Sequence, residues 1–345
     1  MERMEKMDSI RIGAIGYGYW GPNLVRNFVE NPISELVIVA DLKTDRLSKI
    51  KATYPHIVVT KDYKNIFDEH LDAVVIATPP STHYSLAREC LEHGLHVLVE
   101  KPITLKSEDA EELIEISKEK NLILMVGHTF EYNAAVHTLK MLIDSGELGQ
   151  IYYVDAARLN LGLFSTELNV LWDLAPHDIS ILLYILGQNP ISVSAHGMPF
   201  VNEGIHDVVY MNMIFPNNIL AHIHVSWLDP CKVRRVTVVG SKKMVVYNDI
   251  EALEKIRIYD KGVEKPPYTD TYGDFQFSYR YGDVIIPNIR FTEPLQKECQ
   301  HFLECIVNHC EPQTGGLDGL QVVKIIEAAQ KSLSENGIHQ EVIKW

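Results

Sequence analysis

The first third of the chain alternates between short apolar runs and stretches with helical spacing. "SIRIGAIG" (9–16), "ELVIVAD" (35–41), "LDAVVIAT" (71–78), "LHVLVE" (95–100) and "LILMVG" (122–127) read as strands. Helical patterns fill the gaps: from Pro22, over 43–54, over 81–93 and over 107–120. Buried runs alternating with helices predict βαβ units and a parallel, doubly wound sheet. After Gly127 the pattern changes. A helix is expected over 133–145, ended by Gly146 and Gly149. "IYYVDAARLNLG" (151–162) and a helix over 173–186 follow. Strand-like runs then come in succession at 191–197, 206–215, 219–228, 233–240 and 243–248, with "FPNN" (215–218) as a turn between two of them. That succession predicts an α+β domain with a mostly antiparallel open sheet. Helices near 294–310 and 317–336 close the chain. The segment 260–290, rich in Tyr, Gly, Asp and Pro, reads as a long ordered loop. The expected organisation is an α/β Rossmann domain over 1–127 and a substrate-binding and oligomerisation domain over 128–345.

Bulk properties narrow the function. The 345 residues suit two domains, and 46% hydrophobic content supplies their cores. The net charge of −14 disfavours nucleic acid and anionic membranes as partners, because the field repels phosphates. No apolar run approaches the roughly 20 residues that span a bilayer, and the opening "MERMEKMDSI" lacks the apolar core of a secretory signal. Cys90, Cys231, Cys299, Cys305 and Cys310 are odd in number and scattered, as expected of reduced thiols in a cytoplasmic protein. His301, Cys305 and His309 share an i, i+4, i+8 spacing. One helix face rarely closes a metal site, so no metal is expected there.

Chemistry enters at the strand ends. "GAIGYGYWGPNL" carries Gly16-x-Gly18-x-x-Gly21 between a strand and a helix, with Tyr19 and Trp20 inside the motif and Pro22 in the first turn. Glycines there allow a tight turn and close approach of backbone to a pyrophosphate, which the helix N-terminus then attracts. Asp41 ends the next strand, 41 − 21 = 20 residues past the last glycine, where an acid binds ribose hydroxyls. Its carboxylate would repel a 2′-phosphate, so NAD(H) is favoured over NADP(H); Lys43 and Arg46 are the features that would suit NADP(H). "ATPPSTHY" (77–84) ends a further strand on the same edge, which makes Thr78, Pro79 and His83 candidate cofactor neighbours, although His83 could equally be a surface histidine at a helix start. Glu100-Lys101-Pro102 ends the next, on the same cofactor edge, which makes Glu100 and Lys101 candidate cofactor contacts too. A lysine there can reach the nicotinamide end of a dinucleotide and hold a developing alkoxide, while Pro102 ends the ladder and fixes the turn. A solvated lysine at a strand end is the plainer alternative.

A second constellation lies in "LWDLAPHDISILLY" (171–184). Asp173 and His177 at i, i+4 share a helix face and form a plausible acid–base unit facing a cleft. The bland alternative is an N-capping aspartate and a partly buried histidine. Arg158 and Asn160 alternate on one strand face, Tyr132 and Asn133 follow the domain crossover, and Arg234 with Arg235 could receive a diphosphate. All are candidate substrate contacts. His222 and His224 share a strand face and are expected to be packed rather than ligating.

The glycine motif, Glu-Lys-Pro and Asp-x-x-x-His, in this order and spacing, resemble those of the Gfo/Idh/MocA oxidoreductases over essentially the whole chain. The resemblance implies a Rossmann domain joined to a sheet-bearing C-terminal domain, and NAD(P)-dependent oxidation or reduction of a sugar or polyol hydroxyl. It carries Lys101 over as the motif lysine, and Asp173 and His177 as the aspartate and acid–base histidine. Where many members have an arginine and a proline after the sixth strand, this chain has "GHTFEYNAA" (127–135), and those contacts are not carried over. "GYWGPNLVRNF", "VGHTF", "RLNLG", "NVLWDLAPHD" and "VSWLDPCKVRRVTVVGSKKM" look like a nucleotide-sugar-modifying subgroup. That likeness implies oxidation at the 3-hydroxyl of a UDP-N-acetylhexosamine, with the keto sugar passing to an aminotransferase, and a homodimer or homotetramer built on the C-terminal sheet. Free sugars, inositols and deoxysugar intermediates remain as alternative substrates. So does a non-catalytic NAD(H)-binding sensor, which would have no need of Lys101, Asp173 and His177 together.

Overall fold

The computed structural model describes residues 9–264 and 277–342. The chain divides into two compact units: residues up to Tyr132 with Thr292–Val323, and Asn133–Phe291 with Lys324 onward. The change of unit after Tyr132 lies close to the boundary read from the sequence. The return of 292–323 to the first unit was not foreseen.

In the first unit six strands form one parallel sheet: β1 (Ile10–Ile15), β2 (Ser34–Ala40), β3 (Val58–Thr60), β4 (Ala73–Ile76), β5 (His96–Glu100) and β6 (Leu124–Gly127), in the order β3-β2-β1-β4-β5-β6. The order reverses about β1, the doubly wound arrangement in which ligands bind beyond the carboxyl ends of the strands. Helices α1 (Gly21–Glu30), α2 (Thr44–Thr53), α3 (His83–Glu92) and α4 (Ser107–Glu119) make the crossovers. Strands buried on both faces need continuous apolar runs, and the β4 sequence AVVI is wholly buried. β3, three residues long, is too short to show in the hydrophobic pattern.

In the second unit α5 (Ala134–Asp144) precedes β7 (Ile151–Leu159) and α6 (Val170–Leu186). A run of strands follows: β8 (Ser192–Met198), β9 (Val208–Phe215), β10 (Ile219–Ser226), β11 (Val233–Gly240), β12 (Met244–Asn248), β13 (Ile256–Glu264) and β14 (Ser278–Ile285). Helices α7 (Pro294–Asn308) and α8 (Gly316–Ser334) and the short β15 (Gln340–Glu341) complete the chain. The nine-stranded sheet has the order β14-β13-β12-β11-β7-β10-β9-β8-β15. β7 and β10 are its parallel pair and the other pairings are antiparallel. α6 packs on β7, β9 and β10. Val209, Met211 and Met213 of β9 are buried, as are Ala221, Ile223 and Val225 of β10, while Tyr210, Leu220, His222 and His224 alternate onto the other face.

The expected loop over 260–290 is corrected: β13 and β14 occupy its flanks, and its middle, 265–276, lies outside the described residues. β14 is exposed nearly throughout. Polar pairs such as Arg280 with Asp260 and Glu264 serve it, so it shows no inward apolar alternation to read.

Candidate active site

The glycine loop fits a dinucleotide. Gly16 has φ +98°, and a Cβ on it would lie 2.4 Å from the Ala77 carbonyl oxygen. A Cβ on Gly21 would lie 2.5 Å from the Gly16 carbonyl oxygen. Both positions therefore exclude side chains. Gly18 is different: a Cβ there would find the Arg46 guanidinium nearest, at 3.7 Å, so this glycine keeps the loop open on its outer side. α1 starts at Gly21 with Pro22 in its first turn and takes no side-chain cap from the described residues. Its leading N–H groups and positive dipole end suit a diphosphate.

Asp41 follows β2 and is buried. Its Oδ2 accepts from the Tyr17 N–H (2.7 Å) and from Arg46 Nη1 (3.0 Å), and its Oδ1 from the Lys43 N–H (2.8 Å). Burial alone would raise this carboxyl. The Lys43 and Tyr17 N–H groups and the Arg46 guanidinium outweigh burial and hold it below its ordinary range. Asp41 is thus ionised and tied to the glycine loop through Tyr17. Tyr19 is exposed. Trp20 is half-buried, with its indole Nε1 sealed from solvent and close to the Glu100 carboxyl.

Beyond β4, Thr78 is half-buried and Pro79 exposed. His83 is not a cofactor contact. It is 0% exposed, with Nδ1 2.8 Å from the Pro102 carbonyl oxygen and Nε2 2.9 Å from that of Thr78. The ring therefore ties the loop after β4 to the loop carrying Lys101. Burial is the largest influence on it and lowers its pKa. Lys101 follows β5, is half-buried, and precedes a cis peptide to Pro102.

Beneath Lys101 the first unit buries polar groups that pair poorly. The Lys101 N–H reaches Glu100 Oε2 at 3.3 Å, and Glu100 Oε1 is sealed without a hydrogen bond. A Cβ on Gly127 would lie 3.1 Å from that carboxyl, so glycine at the end of β6 makes its room. Glu298 of α7 is 0% exposed, with the Thr129 hydroxyl beside its carboxyl, and neither carboxyl oxygen makes a hydrogen bond of normal geometry among the described residues. His128 is 1% exposed, with both ring nitrogens in the same condition. Burial lifts Glu100 to about 7 against the pull of the Lys101 charge. Burial and then the Glu100 charge push Glu298 well above the carboxylate range. Burial drives His128 down to about 3, and the Lys101 charge adds to that.

In the second unit Asn169 caps α6 through its side chain, and the helix begins at Val170, earlier than the expected 173. Pro176 lies inside it. Asp173 and His177 do share a helical i, i+4 register. Trp227, which the sequence did not single out, holds Asp173: its Nε1 donates to Oδ2 at 2.9 Å.

Several expected substrate contacts are corrected. Arg158 is buried and forms a two-pronged ion pair with Asp178 of α6, at 2.7 and 3.0 Å. This pair locks helix to sheet, and Arg158, 3% exposed, is built into that joint rather than open to solvent. Tyr132 is buried, with its hydroxyl 3.1 Å from Thr314 Oγ1. Asn133 is the N-cap of α5, accepting from the Ala135 N–H and donating to the Tyr247 hydroxyl. Asn160 lies just past β7, half-buried, its N–H bonded to the Ser226 carbonyl, and its side chain stays a candidate. Arg234 pairs in register with Arg158, whereas Arg235 pairs with Ala157, so the two arginines face opposite sides of the sheet and cannot share one diphosphate. Arg234 stays a candidate. Its Nε is buried without a hydrogen-bond partner among the described residues, and burial followed by the Arg158 charge lowers its pKa. On the opposite face His222 bonds Asn212, and His224 stacks on Tyr210 at 4.2 Å. His309 is the left-handed C-cap of α7, off the helix face, and His301 Nε2 accepts from the Gln313 N–H. No group of three metal-ligating side chains occurs among the described residues, and no helix among them is long and apolar enough to cross a membrane.

Comparison with known proteins bears on the whole chain. Residues 10–128 match the model of an oxidoreductase family with an NAD-binding Rossmann fold, and 136–246 match the GFO/IDH/MocA C-terminal domain. The UDP-N-acetylglucosamine 3-dehydrogenase of Acidithiobacillus ferrooxidans is 26% identical over 92% of this chain and 95% of its own length. Its solved structure covers 95% of this chain and 99% of its own, at a TM-score of 0.77 and 25% identity. The NAD-dependent scyllo-inositol 2-dehydrogenase of Bacillus subtilis is 28% identical over 98% of this chain and 96% of its own length.

Proposed function

The chain belongs to the Gfo/Idh/MocA family of NAD-binding oxidoreductases, and from that premise we propose that it oxidises a ring hydroxyl at C3 of a UDP-N-acetylhexosamine. The carrying observation is the acid–base unit on α6: Asp173 and His177 in one helical register, with Asp173 held by the Trp227 indole. His177 takes the hydroxyl proton. Lys101 stabilises the alkoxide by charge and hydrogen bonding, and Asp173 orients the histidine. The bound nicotinamide supplies the hydride acceptor. Gly16, Gly18 and Gly21 with the start of α1 hold the pyrophosphate, and Asp41 takes the adenosine ribose. In the reducing direction the proton moves back from His177.

The nucleotide diphosphate is supported by Arg234, a half-buried cation beside Arg158 whose Nε is sealed without a hydrogen-bond partner among the described residues, where an anion would be welcome. A second reading, a free cyclitol, is favoured by the inositol dehydrogenase likeness over 98% of the chain. Changing Arg234 to Met separates them. Loss of turnover with the UDP-sugar through a raised KM is expected on the first reading. Indifference to the change, together with turnover of inositols, would move the assignment to the second.

The open face of the second unit's sheet suits a second copy of the chain. Tyr153 (44% exposed), Tyr210 (45%) and Leu220 (43%) stand on it, an apolar patch that a symmetric dimer would cover. Leu220→Glu is expected to shift the species seen by analytical ultracentrifugation to monomer. An unchanged distribution would remove this face from the assembly.

A further inference from the structure

Two carboxyl groups, Glu100 at the end of β5 and Glu298 on α7, lie within each other's electrostatic reach inside the first unit. Three carboxyl oxygens of the four are sealed from solvent without a hydrogen bond of normal geometry. Two adjacent carboxylates in such surroundings cannot both stay ionised unless cations balance them. The cations present are few. Lys101 is one, and its charge acts on Glu100. His128 cannot be a second, because it is buried beside that same lysine with no acceptor at either ring nitrogen. The other groups facing the pair add negative charge or none. Glu131 is electrostatically coupled to Glu298 from the segment after β6, Cys299 neighbours it on α7, and the Thr129 hydroxyl beside Glu298 and the Trp20 indole beside Glu100 are neutral. Among the described residues Lys101 is thus the cation that acts on the pair, and it acts through Glu100.

We propose that Glu100 and Glu298 hold one proton between them beneath Lys101, with Glu298 the neutral acid and Glu100 the carboxylate that faces the lysine ammonium. The pair is then a positioning device. A single negative charge keeps the ammonium in place as a hydrogen-bond donor, and a second charge, which would pull it away from substrate, is suppressed by burial. As pH falls through the range in which Glu100 titrates, the pair takes a second proton and the ammonium loses its counter-charge. Gly127 belongs to the device, since a side chain there would press on the Glu100 carboxyl. The value of the device for catalysis rests on the role proposed for Lys101. The proton count does not.

Infrared difference spectroscopy of the full-length protein, without substrate, tests the count. A protonated carboxyl gives a C=O stretch that shifts in heavy water and that ionised carboxylates lack. Glu298→Gln is expected to remove one such band at mildly alkaline pH and to leave the Glu100 titration midpoint where it was, because Gln mimics a neutral acid. Glu298→Met, apolar and of similar length, should do the same and serves if the Gln variant fails to fold. An unchanged protonated band would overturn the proposal. So would a fall of the Glu100 midpoint by about one pH unit or more, which would mean that a charge had been removed. Failure here would leave hydride transfer standing, and absence of hydride transfer would leave the band unaffected.

Discussion

In the second unit a buried arginine meets its carboxylate twice: Arg158 and Asp178, 3% and 2% exposed, are joined by two short hydrogen bonds. In the first unit Glu298 and His128 are buried and Glu100 is half-buried, and most of their polar side-chain atoms make no hydrogen bond of normal geometry among the described residues. The two clusters cost the fold differently. A buried ion pair with both prongs closed recovers its desolvation largely through its own geometry, and it fixes α6 on the sheet. Buried carboxyls without partners recover it by changing protonation. The paired cluster therefore sets where Asp173 and His177 stand, and the underpaired cluster sets the charge felt by Lys101.

The largest effect should come from breaking the paired cluster. Asp178→Ala strands a buried guanidinium and is expected to cost about 3–5 kcal/mol in urea unfolding. Replacing both partners by apolar residues of similar volume should recover much of that loss, and no recovery would show that the pair does more than balance charge. Lys101→Met strikes the other region. Turnover should fall about 100- to 1,000-fold, while NAD binding, followed by fluorescence, persists. Near-normal turnover would remove Lys101 from the mechanism.

Glu100→Gln probes the same region through stability. The folded carboxyl titrates at about 7 against an ordinary 4.5, so between these values the native state binds more protons than the unfolded chain. Stability from this group is full below the lower value and is lost as pH rises to the upper, a fall of at most about 3 kcal/mol. The Gln variant should flatten the dependence of unfolding midpoint on pH across that window; an unaltered slope would place the titration elsewhere. The smallest effect is expected at Asp41→Ser, which removes the charge facing a 2′-phosphate and frees Arg46. The ratio of NADP to NAD affinity should rise about tenfold, and an unmoved ratio would mean that Asp41 does not select the cofactor.

The sequence carried the fold wherever burial is periodic. Strands β1, β2, β4, β5 and β6 and their crossovers followed from apolar runs, and the glycine loop from spacing that only close backbone approach explains. β14 escaped because an exposed edge strand has no inward face to read. The motifs placed Lys101 at the end of a strand and Asp173 and His177 in one helical register, and they stand there, after β5 and on α6; their catalytic roles are proposed. The sequence misled where an arginine or asparagine could be satisfied from a distant segment: Arg158 by Asp178, Asn133 by Tyr247, and His83 by two carbonyl oxygens. Trp227, holding Asp173 across 54 positions, had no local signal. Glu298 had a faint one, because it sits three positions after Leu295 on the face that buries Phe302 and Ile306. A charged residue on an apolar helix face is the pattern that would have found it.

The account stands or falls on hydride transfer from a sugar ring hydroxyl, and absorbance of reduced nicotinamide measures it directly. Purified protein would be mixed with NAD and a panel of UDP-N-acetylhexosamines, free sugars and inositols, with a coupled aminotransferase to draw off keto sugar. Reduced nicotinamide that accumulates with the UDP-N-acetylhexosamine, and not with its Lys101→Met variant, is the result predicted. Bound NAD with no reduction by any hydroxyl on the panel, and no oxidation of NADH by the corresponding keto sugars, would contradict it.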